Sequence, residues 1–272
     1  MGPVLILLPP SEGKAPSGTG PEVALGDLLF PELAKTRTAI VRALSKLASG
    51  RIQTALDALG LSPGQAAEAA ANAGLLTAPT LPAADRYTGV LYDALGLPDL
   101  RTADPAAFAR AEASVLTFSG LWGVVRPSDA IPAYRCSGGV TLPRMGGVAK
   151  LWRDALAPAM PPLAERRLIV DLRSSAYTPL WRAPSALADQ TVAVRVLHEK
   201  LVGGVPKRTV VSHFNKATKG RLTRALLVSG AEPATPKEWA EVCEELGFRV
   251  ELAAGAKPGT PWSADIVVDV VP

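Results

Sequence analysis

The sequence predicts a mixed α/β fold, with a central mixed sheet, an alanine-rich helical N-terminal half and a strand-rich second half. Three observations predict it. Apolar runs at 4–8, 115–118, 167–172 and 191–197 are short and bounded by turn-forming residues, as buried strands are. Between the first two lie alanine-rich segments with apolar residues at helical spacing. The last third alternates strand and helix signals. With 272 residues, 48% of them apolar, the chain can bury a sizeable core, and one compact domain over 1–272 is the expected organisation. No internal repeat is visible.

Taken in order, the strand at 4–8 runs at once into Pro9-Pro10-Ser11-Glu12-Gly13-Lys14. A nucleotide P-loop would need glycine at position 8 and Ser or Thr at 15. Leu8 and Ala15 stand there, so the stretch is read as a cleft-edge loop presenting Ser11 and Lys14. Residues 15–30 are rich in Gly, Pro, Ser and Thr and are expected to be irregular. Helices are expected at 31–49, where Ile40, Val41, Leu44 and Leu47 share a face, at 52–59, and to about residue 73. The last two are joined by Gly60-Leu61-Ser62-Pro63-Gly64, a helix-hairpin-helix-like arrangement whose N–H groups suit a DNA phosphate. Further helices are expected at 85–95, from Asp104-Pro105 to about 111, and at 147–156. The second half gives strands at 167–172, 191–197, 209–214, 248–252 and 265–271. One helix starts after 215, and another starts at the capping box Thr235-Pro236-Lys237-Glu238.

Composition narrows the function classes. The first apolar run is too short for a signal sequence, and no run spans a membrane, so a cytoplasmic protein without a membrane partner is expected. Two His and two Cys, Cys136 and Cys243 being far apart, give no metal or disulfide framework, so no metal and no cofactor are expected. The net charge is only +4, but it is unevenly spread. No carboxylate lies between Glu199 and Glu232, against Lys200, Lys207, Arg208, Lys216, Lys219, Arg221 and Arg224. None lies between Asp129 and Asp154, against Arg135, Arg144, Lys150 and Arg153. Brought together, these stretches would make an anion-attracting basic cleft; apart, they are two solvated faces.

Residues 116–135 (LTFSGLWGVVRPSDAIPAYR) mix core residues with Ser119, Arg126, Ser128, Asp129, Tyr134 and Arg135, which fits a strand leaving the core along a cleft floor. Pro127 restricts Arg126 to extended backbone, and its guanidinium is either an anion clamp or half of a salt bridge to Asp129 or Asp171. Trp122 and Trp152 read equally as packing residues.

Four stretches, in this order, resemble the YaaA family of peroxide-stress proteins. They are Pro10-Ser11-Glu12-Gly13-Lys14, then Arg86-Tyr87-Thr88-Gly89, then Ser119-Gly120-Leu121-Trp122-Gly123-Val124-Val125-Arg126-Pro127 with Ile131 and Tyr134-Arg135, and finally residues 212–221 (SHFNKATKGR) with Arg224. Residues 171–177 match the family's Asn-Leu-Ala-Ser-x-Glu-Tyr block only loosely. Cys136-Ser137-Gly138 stand where the family has Leu-Glu-Met, Asn215-Lys216 where it has paired lysines, and Lys219 where it has Arg. The resemblance implies an α/β protein with its own fold, a helix-hairpin-helix-like element, a positively charged cleft, DNA binding, and a role in limiting iron-dependent damage under peroxide stress.

The residues so marked for anion or nucleic-acid binding are Ser11, Lys14, Arg86, Tyr87, Ser119, Trp122, Arg126, Tyr134, Arg135, Lys150, Arg173, Ser174, His213, Lys216, Lys219, Arg221 and Arg224. The expected partner is DNA with little sequence preference, and no protein partner is expected. The alternative is an enzyme acting on a small anionic substrate, for which Lys14, Tyr87, Arg126, Asp171, Ser175 and Lys216 are the catalytic candidates. A lysine among them acts as a base only if burial lowers its pKa. Iron sequestration is a third reading, disfavoured by the scarcity of His and Cys.

Overall fold

The structure, a computed structural model, describes residues 4–202, 205–209 and 212–269. Strand β1 (Leu5–Leu8) is buried at every position. The chain then runs through α1 (Ala34–Ala48), α2 (Ile52–Leu59) and α3 (Ala66–Ala71). A two-residue strand, β2 (Leu81–Pro82), precedes α4 (Ala83–Arg86), α5 (Val90–Leu95), α6 (Leu97–Ala103) and α7 (Pro105–Ser114). The return to the sheet is β3 (Val115–Ser119), followed by β4 (Gly123–Val125). Strand β5 (Ala130–Ile131) pairs with β2, and β6 (Thr141–Leu142) pairs with β7 (Gly146–Gly147). Helix α8 (Val148–Ala164) leads to β8 (Ile169–Asp171), and β9 (Thr191–Val202) precedes β10 (Val205–Thr209). The remainder is α9 (Ser212–Ser229), α10 (Pro236–Glu245), β11 (Arg249–Ala253) and β12 (Trp262–Asp269).

The main sheet runs β11-β12-β9-β8-β1-β3-β4, with β10 also paired to β9. β3, β1, β8, β9 and β12 are mutually parallel; β4, β10 and β11 pair antiparallel. The mixed sheet is the architecture expected from the sequence. Ile6 sits between Val115 on one side and Val170 on the other. The chain therefore leaves β1 for one neighbour and reaches the other only later. In such sheets the loops at the carboxyl ends diverge there and leave a crevice. β9 outruns β8: His198 to Val202 pair with β10, so this hairpin extends past the carboxyl edge.

Elements diverge from expectation where tertiary contacts override local pattern. The helix expected at 85–95 is broken. α4 ends at Arg86, Tyr87 forms a β-bridge with Lys14, and Gly89 at φ 96° restarts the chain as α5. The strand expected at 209–214 is a strand end and a helix start: pairing stops at Thr209 and α9 begins at Ser212, with 210–211 outside the described residues. The helix expected at 147–156 runs on to Ala164 through Pro158, Pro161 and Pro162. Burial of Ala159, Met160 and Ala164 holds it despite the missing donors. The last strand is Trp262–Asp269, so the expected residues 270–271 lie outside the described ones. Both caps form: Asp104 accepts from the Ala107 N–H at 2.9 Å and Thr235 from the Glu238 N–H at 3.2 Å.

Two arginines fasten the irregular segments. Arg37, fully buried, donates to the carbonyls of Trp122 (3.1 Å), Phe30 (3.0 Å) and Val124 (3.3 Å). Arg86, equally buried, donates to those of Ile131 (3.1 Å), Ser17 (2.9 Å) and Ala15. Arginine suits this task because its planar fork offers five donors to loop carbonyls that no strand satisfies.

α9 lies against α5, and Gly220 is the contact point: a Cβ there would overlap the Leu91 carbonyl and come within 2.9 Å of the Ala94 Cβ. Gly220→Val is expected to force these helices apart and destabilise the fold by about 2–3 kcal/mol, read as a lower urea midpoint at an unchanged slope.

Candidate functional site

The loop leaving β1 is pinned before it reaches Lys14. Thr88 N–H donates to Gly13 O at 3.3 Å and Ala15 N–H to Arg86 O at 3.0 Å, so the Lys14 backbone is held as part of a short ladder. Its side chain is half-buried; Nζ donates to Ser11 O (2.9 Å) and Glu12 O (3.4 Å) and lies 4.2 Å from the Tyr134 ring centre. Behind it runs a buried hydroxyl chain. Ser119 Oγ accepts the N–H groups of Leu121 and Trp122, both at 3.1 Å. With both lone pairs occupied, its own proton goes to Tyr134 Oη at 2.7 Å, and Tyr134 Oη lies 2.9 Å from Tyr87 Oη. Ser119 thus turns the chain after β3 and orders the phenols under Lys14.

Arg135 forms the next wall. Asn72 clamps its backbone from both sides, Nδ2 donating to Arg135 O and Oδ1 accepting from Arg135 N, both at 2.9 Å. The guanidinium, 15% exposed, pairs with Glu12 at 3.1 Å and Glu68 at 3.4 Å. Glycines bring the loops together. A Cβ on Gly120 would stand 2.5 Å from Ser137 O, and one on Gly138 would overlap Ala176 O.

The result is a cavity of about 90 Å³, its walls drawn from the β1 loop (Ser11, Glu12, Lys14), residues 134–137, Tyr177 and the α2–α3 turn. At roughly 10–15 Å³ for each water-sized group, it has room for about six to nine of them. It lies at the loops leaving the carboxyl ends of β1 and β8, where the switch in strand order leaves space.

Of the expected site residues, Ser11, Lys14, Tyr134 and Arg135 line this cavity, and Tyr87 and Ser119 lie behind it. Asp171, Arg173 and Lys219 cluster beside it: Arg173 binds Asp171 through two hydrogen bonds (2.8 and 2.6 Å), and Lys219 Nζ donates to Leu172 O at 2.7 Å. Ser174 and Ser175 are exposed on the same loop. The others lie apart from the cavity. Arg126 sits beyond Val125 on β4, which pairs with Thr117, so it points along the sheet away from the carboxyl edge; it lies 3.8 Å from Asp129. Arg86 is the carbonyl anchor already described, Arg224 donates to Leu95 O and Gly96 O, and Trp122 is fully buried. Lys150 is exposed and paired with Asp154 at 3.6 Å, and Lys216 and Arg221 are exposed on α9. The His213 side chain lies outside those described. Sequence reasoning missed Asn72, Glu68, Cys136 and Tyr177. Cys136, next to the Tyr134-Arg135 motif, and Tyr177, closing the loosely matching 171–177 block, carried a positional signal.

Burial sets the protonation. Desolvation, with Arg135 adding to it, brings the Lys14 ammonium down from 10.5 to about 7. Desolvation likewise lowers Lys219 to about 8, partly offset by Asp171. It pushes the Cys136 and Cys243 thiols up to about 12. Among the described residues no group of three or more His, Cys, Asp or Glu is placed to hold a metal ion.

Topology and cavity together define an α/β protein with a small polar site at the point where its strand order reverses. The family profile described as Peroxide stress protein YaaA matches residues 4–253, and the chain belongs to that family. It is 49% identical over 268 residues to a UPF0246 protein of Streptomyces coelicolor, covering 98% of this chain and 100% of that one. A UPF0246 protein of Corynebacterium efficiens is 43% identical over 258 residues (93% and 97%), and one of Corynebacterium glutamicum 37% over 252 (91% and 95%). Membership supports a role in peroxide stress.

Two outcomes follow from the protonation states. Folded Lys14 loses its proton near 7, whereas the unfolded chain holds it to about 10.5. Across that window the unfolded state binds more protons, so this group makes stability rise with pH. Lys14→Met is expected to flatten that rise in urea melts at pH 6, 7.5 and 9. Both thiols, buried and protonated, should react with a thiol reagent at pH 8 at least about a hundredfold more slowly in the native protein than in urea.

Proposed function

We propose that the protein serves the peroxide-stress response by binding DNA across the carboxyl edge of its sheet, limiting iron-dependent damage there. The supporting observation is where the two carboxylate-free stretches go. Lys219 on α9 reaches Leu172 O, and Arg153 on α8 reaches Pro179 O at 3.2 Å, so both flank the segment that follows β8. On the same two stretches Arg144, Lys216 and Arg221 are exposed and make no ion pair among the described residues. Cations so placed neutralise backbone phosphates without reading sequence.

The α2–α3 hairpin borders the same cavity, but its N–H groups are largely used internally. Leu61 N–H donates to Leu56 O, Gln65 N–H to Ser62 O, and Ser62 N–H to Gln65 Oε1. Phosphate contact therefore falls to side chains, with the hairpin acting as a wall. A second reading, an enzyme on a small anionic substrate, is favoured by the small size of the cavity around Lys14.

Anisotropy titrations with duplex, bulged and single-stranded DNA should give affinities that fall with salt, by about 0.9 log unit per log unit for each phosphate neutralised on duplex and about 0.7 on the single strand. Lys216→Glu with Arg221→Glu should weaken binding at least about tenfold while leaving the melting temperature unchanged. Salt-insensitive or absent binding to all three forms would sink the DNA reading.

A further inference from the structure

Lys14 occupies an unusual position. It lines a cavity, its backbone is fixed by the bridge to Tyr87, and it makes no ion pair among the described residues, Glu12 being turned to Arg135. A purely structural lysine at a crowded site normally keeps a carboxylate partner. Here the Nζ protons meet two carbonyls, and an aromatic face lies 4.2 Å away. The amine form satisfies both carbonyls with its two N–H bonds and keeps a lone pair, so losing the proton leaves neither carbonyl unpaired.

We propose that Lys14 is a nucleophilic amine that captures an aldehyde or ketone carbonyl borne by a phosphate-carrying molecule, condensing with it to an imine in the cavity. The Nζ lone pair attacks the carbonyl carbon and the π pair moves to oxygen. Proton transfer gives a carbinolamine, which loses water as the C=N bond forms. One amine and one carbonyl give one imine and one water, with no oxidant or reductant required. The cavity limits the captured end to a few atoms, and Lys219, at Leu172 O, and Arg153, at Pro179 O, are cations on the neighbouring segment that suit the phosphate. With its proton leaving near 7 rather than 10.5, about half of Lys14 is nucleophilic at pH 7, roughly a thousandfold more than for an ordinary lysine. The proposal rests on the cavity being the functional site, not on DNA being its ligand.

The test is reductive trapping. The full-length protein is incubated with cyanoborohydride and either deoxyribose 5-phosphate or a duplex oligonucleotide containing one abasic site, then analysed by intact mass and peptide mapping. A single adduct at Lys14 is expected, with a rate that rises with pH and levels off above about 7. The groups facing Lys14 are Arg135, Glu12, Glu68, Cys136, Tyr87 and Tyr134. The thiol and both phenols are held protonated well above neutral, so they do not produce that inflection. Lys14→Arg and Lys14→Met should each cut trapping at least about tenfold, with melting curves confirming the fold. Trapping of the free sugar phosphate alone assigns a small substrate, and trapping of the oligonucleotide alone assigns damaged DNA; either supports the amine. No adduct with either probe, or labelling spread over exposed lysines such as Lys216 and unchanged in Lys14→Arg, would overturn the proposal. Because the sugar-phosphate arm contains no DNA, its outcome is independent of the salt-dependence titration.

Discussion

The site exists because β1 is shared. A four-residue strand buried on both edges sends its chain toward one neighbour while the other arrives from far downstream, and their loops cannot fill the gap between them. The remaining features of the region adapt to that gap. The bridge to Tyr87 holds the first loop, Asn72 holds Arg135, and Gly120 and Gly138 let the flanking backbones close to contact distance. A polar cavity in this position needs every buried hydroxyl satisfied, and the Ser119–Tyr134–Tyr87 chain meets that requirement.

The sheet was legible in the sequence because β1, β3, β8 and the first half of β9 are short, mainly apolar stretches bounded by turn residues, whereas the charged second half of β9 was not read as strand. What was not legible was which cations are available. Arg86, Arg126 and Arg224 sit in motif-like surroundings, yet Arg86 and Arg224 are committed to loop and helix-end carbonyls and Arg126 lies against Asp129. A sequence pattern cannot distinguish a guanidinium that organises backbone from one that faces a ligand, since both require turns and apolar neighbours. Lys14 was legible as a loop lysine. Its loss of basicity arises from burial by loops brought together from distant parts of the chain, with Arg135, more than a hundred residues away, adding to it, and no local pattern carries either. The break at Tyr87 has the same origin: residues 85–95 have helical spacing, and only the partner strand segment at Lys14 interrupts it.

Membership of a peroxide-stress family invites a search for a reactive thiol, and the two cysteines do not supply one. A peroxide-sensing cysteine is accessible and anionic, whereas Cys136 and Cys243 are buried and held protonated. Neither thiol is therefore placed to register oxidant directly.

The excursion between Leu8 and Val115 has a further consequence, in the time domain of synthesis. Ile6 has no sheet partner until Val115 has been made, and its second, Val170, comes later still. During elongation an apolar tetrapeptide is presented with both edges bare. Its pairing is among the most non-local in the chain, which slows collapse to the native sheet. Until then Leu5–Leu8 lacks the pairing that shelters it in the folded chain.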